Sequence, residues 1–533
     1  MMPSSSQQRD FDAIVIGSGI SGGWAAKELT ELGLRTLVLE AGRPIDPERD
    51  YSEHRASFQM RYRGLGNRRL VEARQQVQRR SVTFDELSHQ FWTDDLDNPY
   101  TTSNERPFDW LRARQVGEVD HLGRQVYRMG DLDFEANLRD GVAVDWPIRY
   151  AEIAPWYDRV ERFIGVSGMA EGLAHLPDMQ FLPPMPFNVA EQHVRERIAD
   201  RFKGERLMTI GRVAVVTQRH LGRSACHYCG PCHRGCVSKS YFSSLNSTLP
   251  AAEATGRLTL RPWSVVRSLT YDPQRRRISA VQVVDAQSGA EVEFTGRVVF
   301  LCASAIESAR ILLNSASPAF PNGLANGSDQ VGRNIMDHIK WGGASGDFEQ
   351  WGDRRIVGSR PNGIYVPRFR NIGTTHAAFI RGYASRRRGA RWLGRIAPSS
   401  RDRRRLQGQP NETRPVAHDF CRLREMLPNP RNRATIHRRS GTAGDPVAAH
   451  RGAVGENELA IHRDMGVTAS ELLEAAGATK HSAAHRRPEH RGQCQPQARG
   501  CAHGARPRRL KTPPPHNEVD IPTRLQTDGR MTS

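Results

Sequence analysis

Nowhere does the sequence stay apolar for the roughly 18–20 residues that a membrane-crossing helix needs. Its hydrophobic runs, Ala13–Ile16 and Val298–Ile306, have the length of core strands. Met1 to Asp10 lacks the apolar stretch of a secretory leader. The expectation is therefore a chain without its own leader, cytoplasmic by default. Aromatic residues run out along the chain: after position 385 only Trp392 and Phe420 remain. Acidic residues thin out in the same stretch, which holds 29 Lys and Arg against 14 Asp and Glu. A segment of that kind buries too little surface to offset its ordering entropy, so a poorly ordered basic C-terminal tail is expected. The net charge of +19 is then mostly a property of the tail. The runs Arg386–Arg388 and Arg401–Arg405 have no interleaved aromatics and read as solvated charge. A basic nucleic-acid-associated protein is the rival reading that the tail alone favours.

What is present is an ordinary globular body. At 533 residues the chain has room for two to four domains. Phe11–Ile16 is a short β-branched run of the buried parallel-strand kind. It enters Gly17-Ser18-Gly19-Ile20-Ser21-Gly22, and residues 23–29 follow with helical spacing. A second buried strand, 35–39, ends at Glu40-Ala41-Gly42. This is a βαβ unit with G-x-G-x-x-G at its first turn. Gly17 allows the tight turn, Gly19 lets backbone approach a diphosphate, and Gly22 lets helix pack on strand. The helix N-terminus, with Ser18 and Ser21 beside it, offers donors to the phosphates. Glu40, 23 residues beyond Gly17, is placed to accept hydrogen bonds from a ribose. No Arg stands at that strand end, which argues against a cofactor carrying a 2′-phosphate.

The pattern resembles the FAD-binding start of the glucose–methanol–choline (GMC) oxidoreductases. Residues 257–266 resemble the family strand whose valine backbone, here Val266, meets the adenine. Residues 298–314 resemble the strand-to-helix turn back to the cofactor, with Ala303, Ser304 and Glu307 as its binding positions. Val331-Gly-Arg-Asn-Ile-Met-Asp337-His338 matches a further landmark. The likeness spans most of residues 10–385 and is greatest to the gluconate-, sorbitol- and fructose-dehydrogenase branch. It implies an α/β fold: a Rossmann-like FAD-binding domain with an interleaved mixed-sheet substrate domain. Residues 10–340 would be the N-terminal FAD-binding domain with part of the substrate domain, and 341–385 the start of the latter. Residues 386–533 would be a divergent or frame-shifted region with family-like islands at 425–436 and 456–479.

Four of the eight cysteines stand as Cys226-x2-Cys229-x2-Cys232-x3-Cys236. That spacing is of the ferredoxin type, although Val237 replaces the usual proline. A structural zinc site, disulfides and metal-free thiols remain open alternatives. The resemblance implies a three-iron cluster on Cys226, Cys232 and Cys236, leaving Cys229 over.

The family's Gly-Gly-Ser-type turn is broken here, with Glu118 after Gly117. After Lys480 the expected return with a catalytic His is replaced by basic sequence containing His485 and His490. No catalytic base is therefore identified. The implied activity is FAD-dependent oxidation of CH–OH groups in sugars, polyols or sugar acids, with electrons passed to an acceptor other than oxygen. A small subunit and a cytochrome are the implied partners, which would place the protein alternatively in the periplasm, held at a membrane through that subunit. A non-catalytic flavin or iron–sulfur electron carrier is the other reading.

Overall fold

Strand β1 (Phe11–Ile16) is buried on both faces, and its side chains alternate between two cores. Ile14 and Ile16 face one core with Leu37, Leu39, Val266 and Val281. Ala13 and Val15 face the other with Ala26, Leu29 and Val38. Each Ile or Val so buried contributes about 1.5–3 kcal/mol, which is why a six-residue strand suffices as the centre of the domain. The computed structural model describes residues 11–60, 67–81, 83–102, 108–117, 124–336, 342–351, 358–361, 363–386, 391–392, 416–424, 426–440, 446–451, 454–485 and 492–494.

Helix α1 (Ile20–Glu31) connects β1 to β2 (Thr36–Leu39). With β3 (Leu258–Arg261) and β6 (Gly296–Leu301) they form a four-stranded parallel sheet in the order β6-β1-β2-β3. Strands β4 (Ser264–Asp272) and β5 (Arg277–Asp285), with Glu291–Phe294, make a three-stranded antiparallel sheet. Its Val266, Leu269, Val281 and Val283 close the first core. Helix α2 (Ala305–Asn314) follows β6, as expected from the 298–314 pattern, and adds Ile311 and Leu312.

The second large sheet draws its strands from segments between residues 209 and 485, and it is not the mixed sheet expected. It runs Thr479–His485 (β9), Gly342–Phe348 (β7), Val416–Arg424 (β8), Tyr383–Arg386, Ile364–Val366 and Thr209–Ile210. Every pairing in it is antiparallel, including that of Arg391–Trp392 with β8. Among the described residues, parallel and antiparallel pairs meet only in a small sheet of Arg433–Ser440, Pro446–Arg451 and Thr101–Thr102. An antiparallel sheet needs helix cover on one face only. Helix α3 (Glu456–Ala475) supplies it with Ala469, Leu472 and Leu473 against Phe348, Ile364 and Val366.

Both family-like islands lie in this framework. Glu458 of α3 accepts from Gly455 N and from Leu427 N, each at 2.8 Å, tying one island to the other. The 331–336 part of the landmark docks there too, through Ala434 N to Gly332 O and Ile335 N to Asn432 O. Strands β8 and β9 lie in the stretch expected to be poorly ordered, where charged and small residues hide the alternation a strand shows in sequence. The backbone of His485 pairs opposite Gly342 at the end of β9. Glu118, Asp337, His338, His490, Arg401–Arg405 and residues 495–533 fall outside the described residues.

Candidate functional site

The β1–α1 turn closes by contacts that no side chain would permit. A Cβ at Gly22 would lie 1.8 Å from the Gly17 carbonyl oxygen, and Gly17 itself has φ +95°. At Gly19 the reverse holds, with nothing within 4 Å of a built Cβ. Gly19 is the N-cap of α1, no side chain caps that helix, and its first turn contains no acid. Its amides and positive dipole end therefore face open space, the arrangement that binds phosphate.

Glu40, at the end of β2, fixes this turn. Its Oε2 accepts from Ser18 N at 3.0 Å and Ser18 Oγ at 2.7 Å, and its Oε1 accepts from Gly42 N at 2.7 Å. Ser18 Oγ accepts in turn from Gly117 N at 2.9 Å. This brings the 110–115 segment onto an open cleft. Gly17, Gly19, Glu40, Val266, Ala303, Ser304 and Glu307 all line it. Ser18 is buried behind the wall as the link to Glu40, and Gly22 is buried against Gly17. Ser21 lies in the first turn of α1. Ser304 starts α2 at φ +67°, a strained conformation for a residue with a side chain.

Four further residues reach the cleft that the sequence reading missed: Arg112, Arg114, Gln115 and Arg310. The signal for two of them was the Arg-x-Arg just before Gly117. Arg310 Nε donates to Glu307 Oε2 at 2.6 Å, and its Nη2 takes the Val266 carbonyl at 2.8 Å. The Val266 backbone thus already serves a guanidinium. Arg114 pairs with Glu307 at 3.7 Å. Burial pushes the Glu307 carboxyl upward, but Arg310, Arg114 and Arg112 outweigh it and hold its pKa at about 2. Open space at Gly19, an uncapped helix end and these guanidiniums fit a dinucleotide with its diphosphate.

Residues 146–340 match the family model for GMC oxidoreductase. That segment is thereby identified as a GMC oxidoreductase domain. FAD is that family's cofactor, and the cleft chemistry agrees with it. The chain is 28% identical over 346 residues to 6'''-hydroxyparomomycin C oxidase of Streptomyces lividus, covering 61% of this chain and 54% of that protein. It is 26% identical over 343 residues to 2-methyl-1,2-propanediol dehydrogenase of Mycolicibacterium austroafricanum, covering 63% and 56%. To the fructose dehydrogenase large subunit of Gluconobacter japonicus it is 24% identical over 342 residues, covering 63% and 59%. The chain spans about half the length of the curated relatives it matches.

The cysteine loop stands apart from the cleft. Cys226, Cys232 and Cys236 gather against Met185, Val213, Val215 and Tyr241, while Cys229 is exposed. Cys226 and Cys229 are free thiols, and burial raises both pKa values, that of Cys226 to about 11. Among the described residues no group of three or more His, Cys, Asp or Glu is set to hold a metal ion. The sulfurs expected as ligands share one loop without forming a ligand set, so no step is assigned to them.

The Glu307 ion cluster has a measurable signature. A carboxyl depressed from the ordinary 4.5 to about 2 stabilises the fold above pH 4.5, and that contribution is lost as pH falls toward 2. The shift corresponds to a contribution on the order of 3 kcal/mol. The stability difference between wild type and Glu307→Gln, measured by urea unfolding, should be largest above pH 5 and narrow steadily toward pH 2. A difference independent of pH would contradict the assignment.

Proposed function

We propose that this chain is a FAD-binding oxidoreductase of the CH–OH class, with sugars, polyols or sugar acids as donors and an acceptor other than oxygen. The observation that carries the reading is the uncapped α1 terminus at Gly19, facing a cleft whose turn Glu40 ties down. FAD, when bound, supplies the acceptor for the hydride of the alcohol carbon. The residues here do the holding: the Gly17–Gly22 turn and α1 amides take the diphosphate, Glu40 fixes the turn, and Ala303 and Ser304 bound the cleft at the start of α2. The names of the relatives support alcohol and sugar donors. A partner subunit with a cytochrome acceptor is part of the proposal, supported by the word "subunit" in the name of the fructose dehydrogenase relative. So is its location, the cytoplasm or, alternatively, the periplasm, held at a membrane through that subunit.

A base is also needed, within about 2.6–3.2 Å of the substrate hydroxyl. No histidine lines the described cleft. Its two carboxylates are engaged, Glu40 by the turn and Glu307 by two arginines. Glu307, held near pKa 2, is a poor proton acceptor. This favours a second reading, a flavin electron carrier without its own alcohol chemistry. Anaerobic reduction separates the two. Dithionite is expected to bleach the bound flavin under either reading; bleaching by a sugar or polyol is the result expected of the CH–OH oxidoreductase, and failure of the whole panel is the result expected of the carrier. A preparation that cannot be loaded with FAD would overturn the proposal. Rapid bleaching by any donor would overturn the absence of a base and favour the dehydrogenase.

Iron at Cys226, Cys232 and Cys236 is proposed on the loop's spacing alone, since the three sulfurs as placed form no ligand set. Serine at any of these should remove iron and its broad visible absorbance, and Cys229→Ser should do less. Stoichiometric zinc, or unchanged iron in all four variants, would contradict it.

A further inference from the structure

Three guanidiniums line the cleft, but their partners differ. Arg114 and Arg310 both pair with Glu307. Arg112 has no carboxylate within ion-pair distance among the described residues. It is 8% exposed, its guanidinium lies 4.4 Å over the Trp110 ring and 5.3 Å over the Tyr100 ring, and its Nη2 donates to the Asn98 carbonyl. Its Nε is buried with no hydrogen-bond partner. Glu307 and Asp95 act on it only at longer range, and a buried cation without a direct ion pair is unfavourable unless something in the assembled state supplies one. Burial and the neighbouring Arg114 already drive its pKa down to about 10, still well above neutrality, so it stays charged.

We infer that Arg112 is the anion hook of the cleft, its guanidinium taking a phosphoryl oxygen of the dinucleotide's diphosphate. The inference rests on the dinucleotide reading above and adds a residue to it. A guanidinium packed over Trp110 and bonded to the Asn98 carbonyl is held away from solvent, and its planar fork suits phosphate geometry. A doubly charged diphosphate matches the site better than a single carboxylate. The uncapped α1 terminus at Gly19 and Arg112 line the same cleft, and among the described residues neither is capped or directly ion-paired by a carboxylate.

The test uses the full chain stripped of flavin and titrated with ADP, adenosine and gluconate, read by equilibrium dialysis and by Tm. ADP is expected to bind and raise Tm, adenosine to do so more weakly, and gluconate not at all. Arg112→Met keeps the stacking volume and removes the charge. It should lower ADP affinity about tenfold or more, toward that of adenosine, without lowering the Tm of the ligand-free chain. Arg112→Lys keeps the charge without the fork and should fall between, which preserves the test if the Met variant does not fold. A role limited to holding Asn98 predicts the opposite: a lower Tm for the ligand-free Met variant and unchanged preference for ADP. That result, equal ADP affinity in all three proteins, or stabilisation by gluconate but not ADP, would overturn the inference. A wild type that binds neither ADP nor FAD would instead overturn the dinucleotide reading on which it rests.

Discussion

Everything around the cleft depends on one buried carboxylate. Glu40 accepts from Ser18 N, Ser18 Oγ and Gly42 N, and Ser18 Oγ accepts from Gly117 N. These bonds join the first turn, the end of β2 and the segment before Gly117, which are remote in sequence. Ser18 is wholly buried, so each of these polar groups would be costly if left unpaired. The network is therefore all-or-none in character. Tightening the turn around Gly17 and Gly22 leaves the α1 amides pointing outward at Gly19, and seating the 110–115 segment brings its two arginines to the same opening. One acid thus sets both the shape and the charge of the cleft.

The remaining charges share one further acid. Glu307 pairs with Arg310 one turn along α2 and with Arg114 of a remote segment, and Arg310 reaches on to the Val266 carbonyl. This fastens the start of α2 to β4 and to the 110–115 segment, so the cleft wall is cross-linked by ionic contacts as well as by the core beneath. The cost is that neither acid is left to remove a proton. The site as described is built to hold an anion and to orient a cofactor. Its described residues assign the proton chemistry to no group.

The local pattern of the cleft was open to reading from sequence because its parts are contiguous. A β-branched strand, a spaced glycine turn and an acid at the end of the next strand obey geometry within about 30 residues. The same holds for the strand and helix at 298–314. Arg112, Arg114 and Arg310 were not readable as a cluster, because their meeting depends on tertiary register rather than spacing. Nor did the sequence reveal that Arg310 would occupy the Val266 carbonyl. The antiparallel order of the second sheet was missed for a related reason: its strands come from residues 209 to 485 and several are only two to four residues long. Strands β8 and β9 carry few large apolar residues and gain order from their neighbours, Gly342–Phe348 between them above all.

The central claim is that the Glu40-tied turn seats FAD, and the affinity of Glu40→Ala for FAD tests it most directly. Removing the carboxylate loses charge-assisted bonds worth about 1.5–3 kcal/mol each. Equilibrium titration of the flavin-free full chain should then show FAD binding weakened about tenfold or more relative to wild type, with NAD bound by neither protein. Unchanged FAD affinity in Glu40→Ala, or retention of NAD in place of FAD by the wild type, would contradict the account.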